Sequence, residues 1–167
     1  MQKNVLITGG AGFVGSNLAF YLKKQLKDCR IVCFDNLIRR GSELNVPRLK
    51  NAGITFIQGD IRRKSEIFKL TNIDCIIDCS AEPAVTAAYK NPNYTIDTNL
   101  IGTINCLELA KTQKADLIFL STSRVYPIKT IENLPFEKLP TRFDWPKNLK
   151  GQGYSYAGIN EQFPLKF

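Results

Sequence analysis

Glycines spaced three residues apart form the clearest chemical pattern in the sequence. TGGAGFVG, residues 8–15, places Gly9, Gly12 and Gly15 between an apolar run and a segment with helical spacing. One glycine allows a tight turn, one lets backbone N–H groups approach a pyrophosphate, and one lets the helix pack closely. The helix N-terminus adds free N–H groups and a partial positive charge. The pattern predicts a dinucleotide site, and its alternative is a purely structural glycine turn.

Acidic residues follow the next two apolar runs. Asp35 ends the second run, 20 positions after Gly15. A carboxylate at that position accepts hydrogen bonds from the adenosine ribose hydroxyls and repels a 2′-phosphate, so it favours NAD over NADP. Asp60 follows the third run. It either caps a turn or, together with Ile61, lies at the adenine.

Hydroxyl side chains follow the fifth apolar run. LSTSRVYP, residues 120–127, contains Ser121, Thr122 and Ser123 where a strand would end. These hydroxyls either satisfy backbone groups of a turn or orient a substrate. The sequence has no histidine, which excludes a Ser-His-Asp triad, a Cys-His dyad and histidine-containing zinc sites. We expect the five cysteines, none in a CxxC pair, to be reduced and packed inside, and we predict no metal site.

Short apolar runs alternate with helical segments, and this alternation positions the residues above. The expected strands are 4–8, 30–35, 54–60, 74–80 and 116–121, and the expected helices are 16–27, 43–52, 65–71 and 94–114. Buried strands separated by helices indicate a parallel sheet covered on both faces. We predict an α/β, doubly wound Rossmann fold with strand order 3-2-1-4-5, incomplete at its C-terminal side. Its strand ends should converge on one crevice.

The alternation ends after residue 124. Residues 125–167 contain five of the eight prolines and show no helix or strand periodicity. Such a long irregular segment is unusual in a compact domain, and it either covers a ligand or leads to further structure. We therefore divide the chain into a Rossmann domain, 1–124, and an irregular segment, 125–167.

Composition restricts the cellular setting and the partners. No apolar run approaches the roughly 20 residues that a membrane helix needs, and the N-terminus lacks the features of a signal peptide. We expect a cytoplasmic protein. The net charge is +8, from scattered basic residues. The first explanation of this positive charge is that the basic residues lie on solvated helix faces, and the second is that they attract phosphate-rich ligands. Nucleic-acid binding ranks last, because no aromatic-basic interleaving is present.

The ordered set of motifs resembles the extended short-chain dehydrogenase/reductase superfamily, in particular its NAD-dependent epimerase/dehydratase family. TGGAGFVG is similar to the family's TGxxGFxG loop. The family's later conserved motifs have similar segments here, in the same order: FDNLIRRGS (34–42), QGDIR (58–62), AEPAV (81–85), DTNLIGT (97–103) and LSTSRVYP. FDNLIRRGSELNVPRL, AEPAV and GYSYAGINEQFPL more narrowly resemble the CDP-paratose (tyvelose) 2-epimerases.

The resemblance implies a chemistry and a set of residues. Such enzymes hold NAD, oxidise one carbon of a nucleotide-diphosphate sugar to a ketone, and return the hydride to the other face. A CDP-linked substrate is favoured, and the intact enzyme should be a homo-oligomer. Thr122, four residues before Tyr126, matches the family's catalytic Ser/Thr, and Ser123 stands where dehydratases place an acid. The residues at cofactor-side positions are Gly9, Gly12, Phe13, Val14, Gly15, Asp35, Asn36, Arg39, Asp60, Ile61, Ala81 and Asn99.

The family's Tyr-x-x-x-Lys motif does not occur in this sequence, since none of the six tyrosines has lysine four residues later. We therefore expect the chain to be the NAD-binding portion of a nucleotide-sugar 2-epimerase that is inactive by itself. Two alternatives stay open. The first is another nucleotide-sugar epimerase or dehydratase of the superfamily. The second is a non-catalytic Rossmann module that binds NAD or RNA.

Overall fold

The computed structural model describes residues 3–122 and 125–165. It contains two compact units, one ending at Leu120 and the other beginning at Ser121. The domain division proposed from the sequence falls at residue 124. Ser123 and Arg124, which adjoin that division, lie outside the described residues.

The first unit is built on a five-stranded parallel sheet. Its strands are β1 (Lys3–Thr8), β2 (Cys29–Asp35), β3 (Thr55–Gln58), β4 (Cys75–Asp78) and β5 (Asp116–Phe119). Their order is β3-β2-β1-β4-β5, and every neighbouring pair is parallel. The predicted doubly wound sheet is therefore confirmed. In the register Thr8 pairs with both Phe34 and Asp78, so the carboxyl ends of the three central strands lie side by side.

Helices follow most of the strands. They are α1 (Phe13–Gln25), α2 (Asn45–Asn51, after a 3₁₀ turn at Ser42–Leu44), α3 (Lys64–Ile67), α4 (Val85–Lys90), α5 (Pro92–Ile96) and α6 (Gly102–Gln113). The single helix predicted over 94–114 is interrupted by a π-helical turn at Asp97–Ile101. Helix α4 was not predicted, because it buries no residue and so shows no apolar periodicity. In the described part of the chain, no helix has the length and apolar character to cross a bilayer.

Alternation along β1 divides the hydrophobic core between the two faces of the sheet. Val5 and Ile7 belong to one cluster, which contains Ala19 of α1 and Leu49 of α2. Leu6 belongs to the other cluster, which contains Ile67 of α3 and Leu109 of α6. Each fully buried leucine or isoleucine side chain contributes about 1.5–3 kcal/mol relative to exposure. This two-sided burial explains the apolar runs of the central strands β2, β1 and β4. The edge strand β5 was also expected to be buried, but Ile118 and Phe119 are about half exposed.

The second unit has little regular structure. It contains α7 (Ile128–Glu132), a ladder of β6 (Glu137–Lys138) with β7 (Phe143–Asp144), and a three-stranded ladder of β8 (Lys150–Gly151), β9 (Tyr154–Ser155) and β10 (Gly158–Ile159). Among its described residues, the large apolar side chains that become buried are Leu149 and Phe163. So small a core provides little resistance to local opening.

We predict that limited trypsin digestion of the native chain cleaves the second unit before the first. Cleavage needs local opening, and opening is easiest where few apolar side chains are buried. The sites expected to be cut first are Lys129, Lys138, Arg142, Lys147 and Lys150. Mass spectrometry of the early fragments measures the order. Equal protection of both units would contradict the prediction.

Candidate functional site

A cleft of about 500 Å³ opens at the carboxyl edge of the parallel sheet. It lies where the strand order reverses between β1 and β4, the position at which doubly wound sheets bind ligands. Seven of the residues predicted at the cofactor line it: Gly9, Gly12, Asp35, Asn36, Arg39, Ile61 and Ala81. Ser80, Glu82, Tyr94 and Thr98 add further polar groups.

The glycine loop, residues 8–15, packs its backbone directly against the backbone at the end of β4. Gly9 has a φ of +60°, and a Cβ there would lie 2.8 Å from the carbonyl oxygen of Cys79. At Gly15, a Cβ would collide with the carbonyl oxygen of Gly9, so only glycine lets α1 start this close to the loop. The Gly12 N–H donates to the Gly9 carbonyl at 3.0 Å. The loop is therefore compact, and its surface is mostly backbone.

Helix α1 presents an uncapped N-terminus at this loop. Its N-cap, Gly12, provides no side-chain hydrogen bond, and its first turn contains no acidic residue. Phe13 and Val14 are exposed, at 84% and 52%, and the N-cap Gly12, but neither of these two residues, lines the cleft. Uncapped N–H groups with a partial positive charge form an anion site. The geometry suits a pyrophosphate.

The Asp35 carboxylate is fixed at the end of β2. One carboxylate oxygen accepts from the Ala11 N–H at 3.0 Å, and the other accepts from the Leu37 N–H at 2.8 Å. A carboxylate oxygen can accept more than one hydrogen bond, so both keep capacity for a further donor. Asp35 lines the cleft and is ready to accept from a pair of neighbouring hydroxyls.

Asp60 organises the neighbouring loop and is not among the residues lining this cleft. Burial alone would raise the pKa of its carboxyl, but hydrogen bonds from Arg62 and Asn36 outweigh burial and hold the pKa below its ordinary value. The Arg62 guanidinium in turn lies 4.7 Å from the ring centre of Tyr94. Ile61, next in the chain, does line the cleft. Asp60 therefore stays ionised, and the Asn105 amide holds the Ile61 carbonyl at 2.8 Å.

Asn99 and Arg39 both engage Glu82, in the loop after β4. The Asn99 amide accepts from the Glu82 N–H at 2.8 Å and donates to the Glu82 carbonyl at 3.1 Å. The oxygen and the nitrogen of the Asn99 amide are thus both hydrogen-bonded to the backbone of this loop. Asn99 is not among the residues that line the cleft. Arg39 forms an ion pair with the Glu82 carboxylate at 3.3 Å. This pair joins the loops after β2 and β4.

Thr98 is a cleft residue that sequence reasoning missed. It is buried on the π-helical turn, and its Oγ1 has no hydrogen-bond partner. Leaving a buried hydroxyl unpaired costs about 1–3 kcal/mol, so this group calls for an explanation. The π-helical turn itself is a frequent mark of functional sites. DTNLIGT indicated this region in the sequence but not which of its side chains faces the cleft.

The cysteine thiols are protonated at neutral pH in and around the cleft. Burial is the main cause that raises the pKa of Cys33 to about 12 and that of Cys79, which lines the cleft, to about 11. A thiolate nucleophile is therefore not available there. Within residues 3–122 and 125–165, no group of three or more His, Cys, Asp or Glu side chains could hold a metal ion.

Thr122 and Tyr126, which match the family's catalytic spacing, both belong to the second unit. Thr122 is exposed, and Tyr126 packs edge-to-face against Phe163 with ring centres 5.8 Å apart. The role of Thr122 stays a prediction.

Comparison with known proteins agrees with this geometry. The family model described as "NAD dependent epimerase/dehydratase family" matches residues 5–146. CDP-paratose 2-epimerase of Salmonella typhi is 34% identical over 83% of this chain and 42% of its own length. dTDP-D-glucose 4,6-dehydratase of Dictyostelium discoideum is 35% identical over 78% of this chain and 31% of its own length.

A solved structure shows the same relation. UDP-glucose 4-epimerase from Bifidobacterium longum, in complex with NAD+ and UDP, superposes with a TM-score of 0.66 at 26% identity. The match covers 83% of this chain and 40% of that one. The chain thus spans less than half the length of the relatives it matches. Its matched portion covers the sheet and the cleft, and the chain belongs to the NAD-dependent epimerase/dehydratase family.

Proposed function

We propose that the chain is the NAD-binding portion of a nucleotide-sugar epimerase. The observation that carries the proposal is that two features face one cleft: the uncapped start of α1 and the fixed Asp35 carboxylate. The first suits a pyrophosphate and the second suits the hydroxyls of a ribose. Adenosine diphosphate contains both of these groups.

Residues that line the cleft, and others beside it, would each bind or support one part of NAD. Backbone N–H groups of Phe13 and Val14 would bind the pyrophosphate, Asp35 would bind the adenosine ribose, and Ile61 would contact the adenine. Of the other predicted residues, Asn36 and Asp60 fix the loops at the adenine end, while Asn99 and Arg39 fix the loop that carries Ala81 and Glu82. Thr98 would donate to or accept from the ligand. When bound, the nicotinamide supplies a reversible acceptor for a hydride.

For the substrate, we propose a nucleotide-diphosphate sugar, with the CDP-paratose 2-epimerase type as the specific candidate. FDNLIRRGSELNVPRL and GYSYAGINEQFPL support that type, as does the Salmonella relative. A dehydratase is the second candidate, because the Dictyostelium dehydratase is equally similar in sequence. Ser123 weighs against it, since dehydratases of the family carry an acid at this position.

Thr122 is proposed to orient the sugar hydroxyl during oxidation, beside a tyrosine base and a lysine that this sequence does not contain. The chain alone should therefore be inactive. We also propose a cytoplasmic, homo-oligomeric full-length protein. Five free cysteines support the cytoplasm. Exposed apolar side chains at Leu100, Ile104 and Leu107, which share one helical face, support self-association.

The first test concerns cofactor choice. The wild-type chain should bind NAD more tightly than NADP, because Asp35 meets the ribose hydroxyls and repels a 2′-phosphate. Asp35→Asn should weaken NAD binding by about tenfold or more, the effect of weakening a hydrogen bond to a charged group, and should reduce the preference. Asp28→Asn, at an exposed turn before β2, is the matched control. Titration calorimetry measures both ligands, and equal or tighter binding of NADP by the wild type would overturn the role of Asp35.

The second test concerns the unpaired hydroxyl. Thr98→Val should weaken NAD binding by about 3- to 10-fold, the net effect of one hydrogen bond. The thermal midpoint of the free chain should stay unchanged or rise, because the substitution removes a buried polar group that lacks a partner. Thr112→Val, at an exposed position of α6, should leave affinity unchanged. Unaltered NAD affinity in Thr98→Val would show that the hydroxyl does not contact the cofactor.

The third test concerns Thr122. In a chimera that extends this chain with the Tyr-x-x-x-Lys helix and sugar domain of a full-length family member, Thr122→Val should lower turnover by roughly 10²- to 10⁴-fold. NAD affinity should hardly change, because the side chain is assigned to the sugar. Steady-state kinetics of the chimera measure the turnover. Full activity in the variant would show that the Thr122 hydroxyl does not act on the sugar and only satisfies backbone groups of the turn.

A further inference from the structure

A buried carboxylate lies at the junction between β1 and β4, beside the cleft. Asp78 is the last residue of β4 and is 1% exposed. In the sheet it pairs with Thr8, the residue before the glycine loop. The two residues that follow it, Cys79 and Ser80, line the cleft. Its charge is therefore placed next to the ligand site without touching solvent.

Hydrogen bonds from three residues converge on the Asp78 carboxyl group. Thr8 Oγ1 donates to Oδ1 at 2.6 Å, and the Ser80 N–H donates to the same oxygen at 3.1 Å. Thr103 Oγ1 donates to Oδ2 at 3.1 Å and also lies 3.1 Å from the Asn99 carbonyl. A hydroxyl-to-oxygen distance of about 2.5–2.7 Å is typical of a charge-assisted hydrogen bond. Donors approach both carboxylate oxygens.

These donors are neutral, so they solvate the charge without cancelling it. In the part of the chain that the structure describes, no basic side chain forms an ion pair with Asp78. Burial first, and then the nearby Asp78 carboxylate, raises the pKa of both Cys79 and Cys106. A charge in a poorly screened interior acts over longer distances than one at the surface.

The direction of the cleft brings the nicotinamide half of a bound dinucleotide toward this charge. Asp35 and Ile61 assign the adenosine half to the β2–β3 side. A dinucleotide crosses the sheet at the point where the strand order reverses, so its other half extends over the end of β4. The oxidised nicotinamide ring carries a positive charge and the reduced ring is neutral. The charge of Asp78 therefore distinguishes the two forms.

Resting on the proposed NAD-binding function, we propose that Asp78 biases the bound cofactor toward its oxidised form. In the proposed reaction, bound nicotinamide would accept the hydride, two electrons with one proton, that is released when the C–H bond of a sugar carbinol breaks. The hydroxyl proton leaves to a base, and both steps are reversed on return. Asp78 stabilises the cationic ring before transfer and after return. It thereby disfavours a cofactor trapped in the reduced form.

The test is the ratio of two dissociation constants, that of NADH over that of NAD+, measured by calorimetry on the 167-residue chain. Both forms share the pyrophosphate and ribose contacts, so a general loosening of the site changes both constants and cancels in the ratio. Asp78→Asn should lower the ratio by about 4- to 16-fold, as expected for unit charges roughly 10 Å apart at an effective dielectric constant of about 20–40. Thr103→Val, which removes one donor and keeps the charge, should leave the ratio within about twofold of wild type.

Each outcome bears on the proposal. An unchanged ratio in Asp78→Asn, with NAD binding retained, overturns it and leaves the proposed function intact. Wild-type chain that binds neither form overturns both. If Asp78→Asn does not fold by circular dichroism, the smaller neutral Asp78→Ser carries the same expectation. The wild-type chain must itself bind the oxidised form more tightly, and a ratio below one overturns the proposal whatever the variants do.

Discussion

The close approach of Gly9 to the end of β4 is the constraint on which the rest of the site depends. A left-handed backbone at Gly9 and the absence of a Cβ let the loop pass against the Cys79 carbonyl. Helix α1 can then begin directly above the strand ends, with its N-terminus at the cleft. The same junction holds the 2.6 Å hydrogen bond from Thr8 to Asp78. The turn, the anion site and the buried charge are thus one connected structure.

The sheet could be predicted because its three central strands, β2, β1 and β4, are buried on both faces, whereas the edge strand β5, also expected to be buried, is largely exposed. Continuous apolar runs such as VLI at 5–7 and IVCF at 31–34 are required by that burial and are visible in the sequence. Helix α4 could not be predicted in the same way, since none of its residues is buried. The break at Asp97–Ile101 was hidden as well. A π-helical turn adds a residue to one turn, and tertiary packing rather than local propensity decides where it occurs.

The residues that line the cleft could be predicted only in part. Gly9, Gly12 and Asp35 could be predicted as residues of the cleft, because each depends on local geometry along one strand and its turn. Their roles toward a ligand stay predictions. Of the adjacent residues Thr98 and Asn99, the sequence analysis selected Asn99. In the structure Thr98 lines the cleft, whereas the Asn99 amide is hydrogen-bonded to the backbone of Glu82. Asp78 had no signature beyond its place at the end of an apolar run. Its importance comes from burial and from donors distant in sequence, Thr8 and Thr103.

The central claim is that this cleft binds NAD through the start of α1 and the π-helical turn. Backbone amide NMR of the ¹⁵N-labelled chain, titrated with NAD, tests it most directly. The account predicts saturable shifts of the Gly12, Phe13 and Val14 amides together with that of Thr98. Shifts that do not saturate, or that are confined to residues 125–165, would contradict it.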